Sequence, residues 1–285
     1  MPVKIQEDKH KRTFEQIKAQ YEAEKELAQK LLKSAKEDRK YLYNSLYEEL
    51  YKKIPYAPEL NRKNNSQAIA WIVNQRMQLL GDFLKDDSIF LEVGPGDCSL
   101  SIEVAKRVRK VYAVDVSNEI TKNFNFPENF ELVISDGCTI LVPNNSVSIA
   151  YSHQLMEHLH PNDAIEQIQN IYNALMPGGF YICITPNRLS GPHDTSQFFD
   201  EVATGYHLKE YTVTELYELF HEVGFSKVSL YKSYKRTHMK IPLFSVTINI
   251  LKGCEKFLSV LPSSLRRKIA KTPMLFRGMT IVGRK

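Results

Sequence analysis

The stretch Phe90-Leu91-Glu92-Val93-Gly94-Pro95-Gly96-Asp97-Cys98 decides the fold. A short, mostly apolar run suits a buried strand, and a Gly-x-Gly turn follows it at once. Glycines belong in that turn because the backbone needs unusual angles and must pass close to a ligand. Ser99–Lys106 then has the apolar spacing of a helix. Nineteen residues after Gly96 a second apolar run ends in Asp115, placed to accept hydrogen bonds from a ribose diol. These features alone fit either a nicotinamide dinucleotide or S-adenosylmethionine. The dinucleotide fingerprint wants a third glycine three residues after the second, where this chain has Ser99. Glu92 would also sit badly beside a pyrophosphate, whereas it suits a ligand that carries an ammonium group.

Outward from this stretch, short apolar runs alternate with amphipathic helices. The expected strands are Ile89–Val93, Val111–Asp115, Phe130–Ile134, Ser148–Tyr151, Phe180–Thr185, Lys227–Tyr231 and Met279–Gly283. The expected helices are Ser99–Lys106, Asn118–Asn123, Asn162–Leu175 and Val213–Val223. Strands and helices taking turns imply parallel strands joined by right-handed crossovers, and so an α/β, doubly wound sheet. Polar groups cluster after the runs, at Ser135-Asp136-Gly137-Cys138, Ser152-His153-Gln154-Leu155-Met156-Glu157-His158 and Thr185-Pro186-Asn187. Those are the carboxyl ends of strands, where open α/β sheets bind ligands.

Upstream, about the first 53 residues read as helix, rich in Glu, Lys, Ala and Leu and free of glycine. Phe14, Ile17, Tyr21, Ala28, Leu31, Ala35, Leu42, Leu46 and Leu50 recur at helical spacing. The stripe fits a helix laid over the catalytic domain, with a homodimer through the N-terminal helices as the alternative. Ile54-Pro55-Tyr56-Ala57-Pro58 breaks it, and a further helix is expected over Ser66–Leu84. Downstream, residues 232–278 are long enough for a helical cap before the last strand. The chain therefore divides into an N-terminal helical extension (1–60), a core (61–232), a helical insertion (233–274) and a last core strand (275–285).

Composition is that of an ordinary soluble globular protein, with 285 residues, 43% hydrophobic, 25% charged and a net charge of +5. The charge is unevenly spread: residues 61–225 carry 11 basic against 21 acidic side chains, and residues 226–285 carry 14 against one. The basic end could meet an anionic surface, including peripheral contact with a membrane. No run approaches the roughly 18–20 apolar residues of a membrane span. The N-terminus MPVKIQEDKHKRTFEQ lacks a signal-peptide core, so a cytoplasmic location is expected. Cys98, Cys138, Cys183 and Cys254 are scattered without metal-ligand spacing and read as thiols in a reducing compartment.

Over residues 88–232 the order and spacing of these motifs resemble the class I S-adenosylmethionine-dependent methyltransferases, in particular the ubiquinone-biosynthesis-type group. That family carries an acid, a glycine loop, a second-strand acid, a third-strand acid and an L-x-P-G-G turn. Here Glu92, Gly94, Gly96, Asp115, Asp136 and Leu175–Gly179 stand in those places. The loop's frequent third glycine is replaced by Cys98. The resemblance implies a Rossmann-like sheet of seven mostly parallel strands with the last antiparallel, and S-adenosyl-L-methionine as cofactor. It also implies that Glu92 helps hold the methionine amino group and that Gly94, Pro95 and Gly96 pack on the methionine part. Asp115 and Val116 would meet the ribose, Asp136, Gly137 and Cys138 would frame the adenine, and Ser152 and His153 would lie near the sulfonium. Residues 186–212 resemble, more loosely, bacterial methyltransferases encoded with glycan-assembly enzymes.

Methyl transfer asks the protein to align an acceptor and, where needed, to take its proton. Histidine is the best base near neutral pH, and His153, His158 and His193 are the candidates, with Asp194 or Asp200 as the group orienting the base. The Glu157-His158 pair matches a family element that binds a metal in some members with a further acid three residues earlier. Gln154 stands there, so no metal is expected. The long loop from Asn187 to Lys209 is expected to be an acceptor lid. The acceptor expected is a small-molecule or sugar hydroxyl. Nucleic acid is not expected, because Ser152-His153-Gln154-Leu155 is unlike the Asp/Asn-Pro-Pro-aromatic motif of DNA amino-methylating enzymes. The alternatives are a nucleic-acid or protein methyltransferase that uses the basic C-terminal region, and a methyltransferase fold turned to scaffolding.

Overall fold

The computed structural model describes residues 8, 11–57, 66–117, 121, 124–234, 237–272, 276 and 278–285. Helix α1 (Phe14–Lys33) begins in a capping box, with Thr13 accepting from the Gln16 amide and the Gln16 side chain accepting from the Thr13 amide. The expected single N-terminal helix is two. The backbone is extended at Ser34, whose hydroxyl donates to the Leu31 carbonyl (2.7 Å), and α2 (Lys36–Lys53) starts in a new direction. The break brings Arg39 onto Asp163, with Nε and Nη2 donating over 2.6 and 2.5 Å. Tyr43 donates to the same carboxylate (2.7 Å). Both charged side chains are almost wholly buried, so α2 is pinned to the core by a paired, hydrogen-bonded ion pair. Of the expected stripe, Ile17, Tyr21, Ala28, Leu31, Leu46 and Leu50 are buried within this chain, whereas Phe14 and Ala35 are exposed.

Helix α3 (Ser66–Leu80) precedes the sheet and ends at Gly81, short of the expected Leu84. Strands β1 (Ile89–Val93), β2 (Lys110–Asp115), β3 (Phe130–Ile134), β4 (Val147–His153) and β5 (Leu175–Thr185) pair in parallel, with α4 (Ser99–Ala105) and α5 (Pro161–Ala174) as crossovers. The helix expected over Asn118–Asn123 lies outside the described residues, Thr121 apart. After α6 (Val213–Val223), β6 (Lys227–Tyr234) turns into β7 (Thr237–Leu243), and α7 (Ser245–Ser259) and α8 (Ser263–Ala270) lead to β8 (Met279–Arg284). The sheet order is β3-β2-β1-β4-β5-β8-β6-β7, with β8 antiparallel to both its neighbours.

The sheet thus has eight strands and not seven, because the segment read as a purely helical insertion opens with β7. That strand pairs antiparallel with β6 and lies at the edge. An edge needs no ladder donor on its outer side, which is why Pro242 is tolerated in it. Helices cover both faces. Leu27, Leu46, Ile168, Leu216 and Phe220 pack on one side, and Met77, Leu80, Leu100 and Val104 on the other. The strand order reverses between β1 and β4, which opens a crevice at their carboxyl ends.

Candidate active site

The crevice is a cavity of about 790 Å³. Its floor is the strand ends and their loops: Val93–Asp97, Val114–Ser117, then Ser135, Gly137, Thr139 and Ile140, and His153–Leu155. Its wall is Tyr43, Asn44, Glu48 and Tyr51 from α2 of the N-terminal extension and Ile69, Ile72, Val73 and Arg76 from α3. His158 and Tyr206 complete it.

The glycine turn has the backbone its sequence promises. Gly94 and Gly96 have φ of +71° and +60°, and a Cβ on Gly96 would meet nothing within 4 Å, so the turn faces open space. The Gly94 amide donates to the Val114 carbonyl (2.9 Å) and the Gly96 amide to Asp115 Oδ2 (3.2 Å). Cys98 caps α4 in the left-handed conformation, φ +57°. That geometry, which L-residues seldom adopt, explains why related loops use glycine there. Asp115 Oδ1 accepts from the amides of Val116 (2.7 Å) and Ser117 (3.4 Å). Burial raises the Asp115 pKa against the pull of these three amides.

Glu92 lies beneath the turn, 2% exposed, and accepts a hydrogen bond from Ser101 Oγ (2.5 Å). Burial pushes its carboxyl up to about 7, opposed by Ser101 and the positive charge of Arg76 and assisted by Asp97 and Asp115. Arg76 Nη2 lies 3.1 Å from His153 Nδ1, and Arg76 Nε is buried with no hydrogen-bond partner among the described residues. Arg76 is not among the expected site residues, because in sequence it reads as an ordinary polar position on a helix.

A match to a known family covers the domain that forms this crevice. Residues 62–230, more than half of the chain, match the family model described as a methyltransferase domain. The chain belongs to the methyltransferase-domain family. S-adenosylmethionine is the cofactor of its class I members. A curated S-adenosylmethionine-dependent methyltransferase of Mycolicibacterium smegmatis is 31% identical over 84 residues, which is 30% of each chain. The chain thus spans under a third of that relative. Among solved structures, one of a Haloferax volcanii methyltransferase with the Trm112 activator covers 77% of this chain and 94% of its own, at 13% identity and a TM-score of 0.52. An S-adenosylmethionine-dependent methyltransferase from Archaeoglobus fulgidus covers 75% and 93%, at 18% identity and a TM-score of 0.50. At such identities the likeness is one of fold.

Of the residues expected to serve this methyltransferase site, Gly94, Pro95, Gly96, Asp115, Val116, Gly137, His153 and His158 line the cavity. The others sit behind the lining. Asp136 turns inward on its own loop, accepting from the amides of Cys138 (3.0 Å) and Thr139 (2.7 Å) and from the Thr139 hydroxyl (2.9 Å). Burial alone would raise its pKa, but these bonds hold it below the ordinary value. Cys138 is buried, its carbonyl accepting from Asn170 (3.1 Å). Ser152 points to the other face of the sheet, its hydroxyl 2.9 Å from that of Tyr181, as alternation along β4 requires.

His193 lies outside the lining. Its Nε2 is 3.1 Å from Ser190 Oγ and its Nδ1 3.3 Å from Glu210 Oε2. Glu210, and neither Asp194 nor Asp200, is therefore its carboxylate. Asp194 accepts from the amides of Gly205 and His207 (both 3.1 Å), and Asp200 from Tyr21 (2.5 Å). Those two acids fold the 187–209 loop onto itself and onto α1. Burial alone would raise Glu210, but His193 and His207 bring it down to about 2.

Glu157 and His158 anchor the same loop. The Glu157 carbonyl accepts from Leu208 N (2.7 Å), its side chain accepts from Thr185 Oγ1 (2.9 Å), and His158 Nδ1 lies 3.0 Å from the Tyr206 carbonyl. With His207 they also form the one trio among the described residues that has metal-ligand composition, their ligand atoms within 4.8 Å of one another. Burial, with His207 adding to it, pulls the His158 pKa down to about 3. At neutral pH that ring is uncharged and a poor proton acceptor.

Proposed function

We propose that the chain transfers a methyl group from S-adenosylmethionine to a hydroxyl of a small molecule or sugar held against α2 and α3. The observation that carries this reading is the two-sided cavity, with the glycine turn and Asp115 on the sheet side and Tyr43, Asn44, Glu48, Tyr51 and Arg76 opposite. About 790 Å³ is at the roomy end of small-molecule sites, which suits two ligands meeting there. The mix of tyrosine rings with amide and carboxylate groups suits a hydroxylated acceptor. A nucleic acid would meet Glu48, Asp97 and Asp115 in the lining, with Arg76 as the one Arg or Lys there among the described residues. That charge is the wrong sign for a polyanion.

The residues fit the cofactor's chemistry. The open space at Gly96 and the left-handed turn let backbone pass close to a ligand. Asp115 accepts from a diol, Glu92 supplies negative charge for an ammonium, and Arg76, with its unpartnered Nε, supplies a cation for a carboxylate. The bound cofactor would supply a methyl group on a sulfonium, an excellent leaving group, so the protein's work is alignment and proton removal. His153 is the base in this reading. His158 is too weakly basic and His193 lies outside the lining. A guanidinium only donates, so the contact with Arg76 makes Nδ1 of His153 an acceptor and leaves the ring proton on Nε2. Turning Arg76 toward a carboxylate would end its contact with Nδ1, the nitrogen that takes the acceptor's proton in this reading.

Calorimetry with S-adenosylmethionine and S-adenosylhomocysteine tests the donor half. Binding is expected, and Asp115→Ala should weaken it on the order of tenfold or more, the worth of a hydrogen bond to a charged group. Absence of binding to folded protein would replace the enzyme with a scaffold of the same fold.

A further inference from the structure

Helix α7 is apolar on two opposite faces. Ile248 and Leu258 are each 5% exposed and join the core. Val246, Ile250, Phe257 and Val260, spaced by four, seven and three residues, run along the outer side and are 60%, 61%, 62% and 75% exposed. Phe244 before the helix and Leu265 on α8 are exposed as well. A surface helix ordinarily turns a polar face to water, and a contiguous apolar strip of this kind marks an interaction site.

Charge identifies the occupant. Residues 226–285 carry 14 Lys and Arg against a single acidic side chain, Glu255. Glu255 is 6% exposed and faces inward, accepting from Thr214. The outer surface of the described part of this segment therefore presents no acidic side chain. Lys256 and Lys268 are exposed and make no ion pair among the described residues. Lys252, paired with Glu218 (2.7 Å), lies on the same flank of the apolar strip as Lys256. Large apolar side chains flanked by lysines are the composition of a helix lying in a bilayer interface. No helix among the described residues is long and apolar enough to cross a membrane.

We propose that α7 and α8 dock the protein on an anionic lipid surface, with Phe244, Val246, Ile250, Phe257, Val260 and Leu265 entering the headgroup region. The proposal is independent of the acceptor reading. It has a consequence for the site, because α8 holds the loop that lines the cavity. Arg267 donates to the Asp200 carbonyl (3.0 Å), Arg266 to the Glu201 carbonyl (3.3 Å) and Ser263 to the Glu201 carboxylate (2.8 Å). That loop carries Tyr206 into the cavity.

Flotation of the full chain with phosphatidylcholine vesicles, with and without phosphatidylglycerol, tests the proposal. Binding is expected to the anionic vesicles, to weaken with salt, and to fall on the order of tenfold or more in Lys256→Glu/Lys268→Glu. Ile250→Ser/Phe257→Ser, and independently Val246→Ser/Val260→Ser, should abolish it. These side chains lie outside the core, and thermal melts check that each variant folds. Failure to bind either vesicle overturns the proposal. So does a dimer in light scattering that the serine variants dissociate, which would make a second copy of this chain the occupant.

Discussion

Arg76 and His153 meet across the cavity, guanidinium to imidazole at 3.1 Å, although they stand 77 residues apart in the chain. Each occupies the other's reactive position, so the two substitutions should separate in a telling way. His153→Ala should lower turnover by roughly 10²–10⁴, the range for a general base, with cofactor affinity nearly unchanged. Arg76→Gln should weaken cofactor affinity first. Calorimetry beside initial rates checks both, and equal losses of affinity in the two variants would dissolve the assignment.

Glu92 should make cofactor binding release protons. Its carboxyl, raised to about 7 by burial, is substantially protonated below neutrality. An ammonium group placed beside it favours the ionised form and drives the proton off. Calorimetry at mildly acid pH in two buffers of different ionisation enthalpy should show net release, and Glu92→Gln should remove it. The same shift has the opposite sign for the free protein. A carboxyl raised on folding favours the acid side, so its contribution to stability declines as pH rises from 4.5 toward 7.

The Arg39–Asp163 pair should be costly to break. Both partners are buried, so Arg39→Met leaves Asp163 with a single side-chain donor, Tyr43. Removing one partner of such a pair costs about 3–5 kcal/mol. Denaturant melts should show that loss. Because α2 also walls the cavity, KM for the acceptor should rise more than the cofactor Kd. A variant as stable as the parent would mean that other contacts hold α2.

Glu210 and His207 set a window of pH. Burial opposes ionisation of both, and their partners outweigh it: His193 and His207 bring Glu210 down to about 2, and Glu210 with Glu157 and Asp194 raises His207 above its ordinary 6.5. The lowered acid contributes stability above its ordinary 4.5 and loses it as pH falls toward 2. The raised histidine contributes below 6.5 and loses it as pH climbs through its folded value. The melting-point difference between the parent and Glu210→Gln should therefore be widest from about 4.5 to 6.5 and narrow on both sides. A difference that does not vary with pH would mean that the pair is held by packing alone.

The parts of this molecule governed by local sequence were readable in advance. β1 and β3 run over the residues their apolar runs mark, and the glycine turn and Asp115 lie where their spacing puts them. What escaped reading depends on distant partners. The break at Ser34 is explained by Asp163, far along the chain. β7 hid behind Pro242 and its lysine, acceptable only because the strand lies at the sheet's edge. Asp136 and Ser152 fall at suitable places in sequence, yet their side chains are spent on Thr139 and Tyr181. Arg76 becomes visible only when α3 is laid against β4.

The walls of the cavity are inherited from different stretches of chain. Every residue from α2 and α3 that faces it comes before the first strand begins. The donor half is tied to the register of the parallel sheet and has little freedom to vary. The opposite half is an attachment that can be exchanged without disturbing a single strand pairing. Grafting the stretch that carries α2 and α3 between relatives would therefore renew most of that wall while Gln154, His158 and Tyr206 stayed in place.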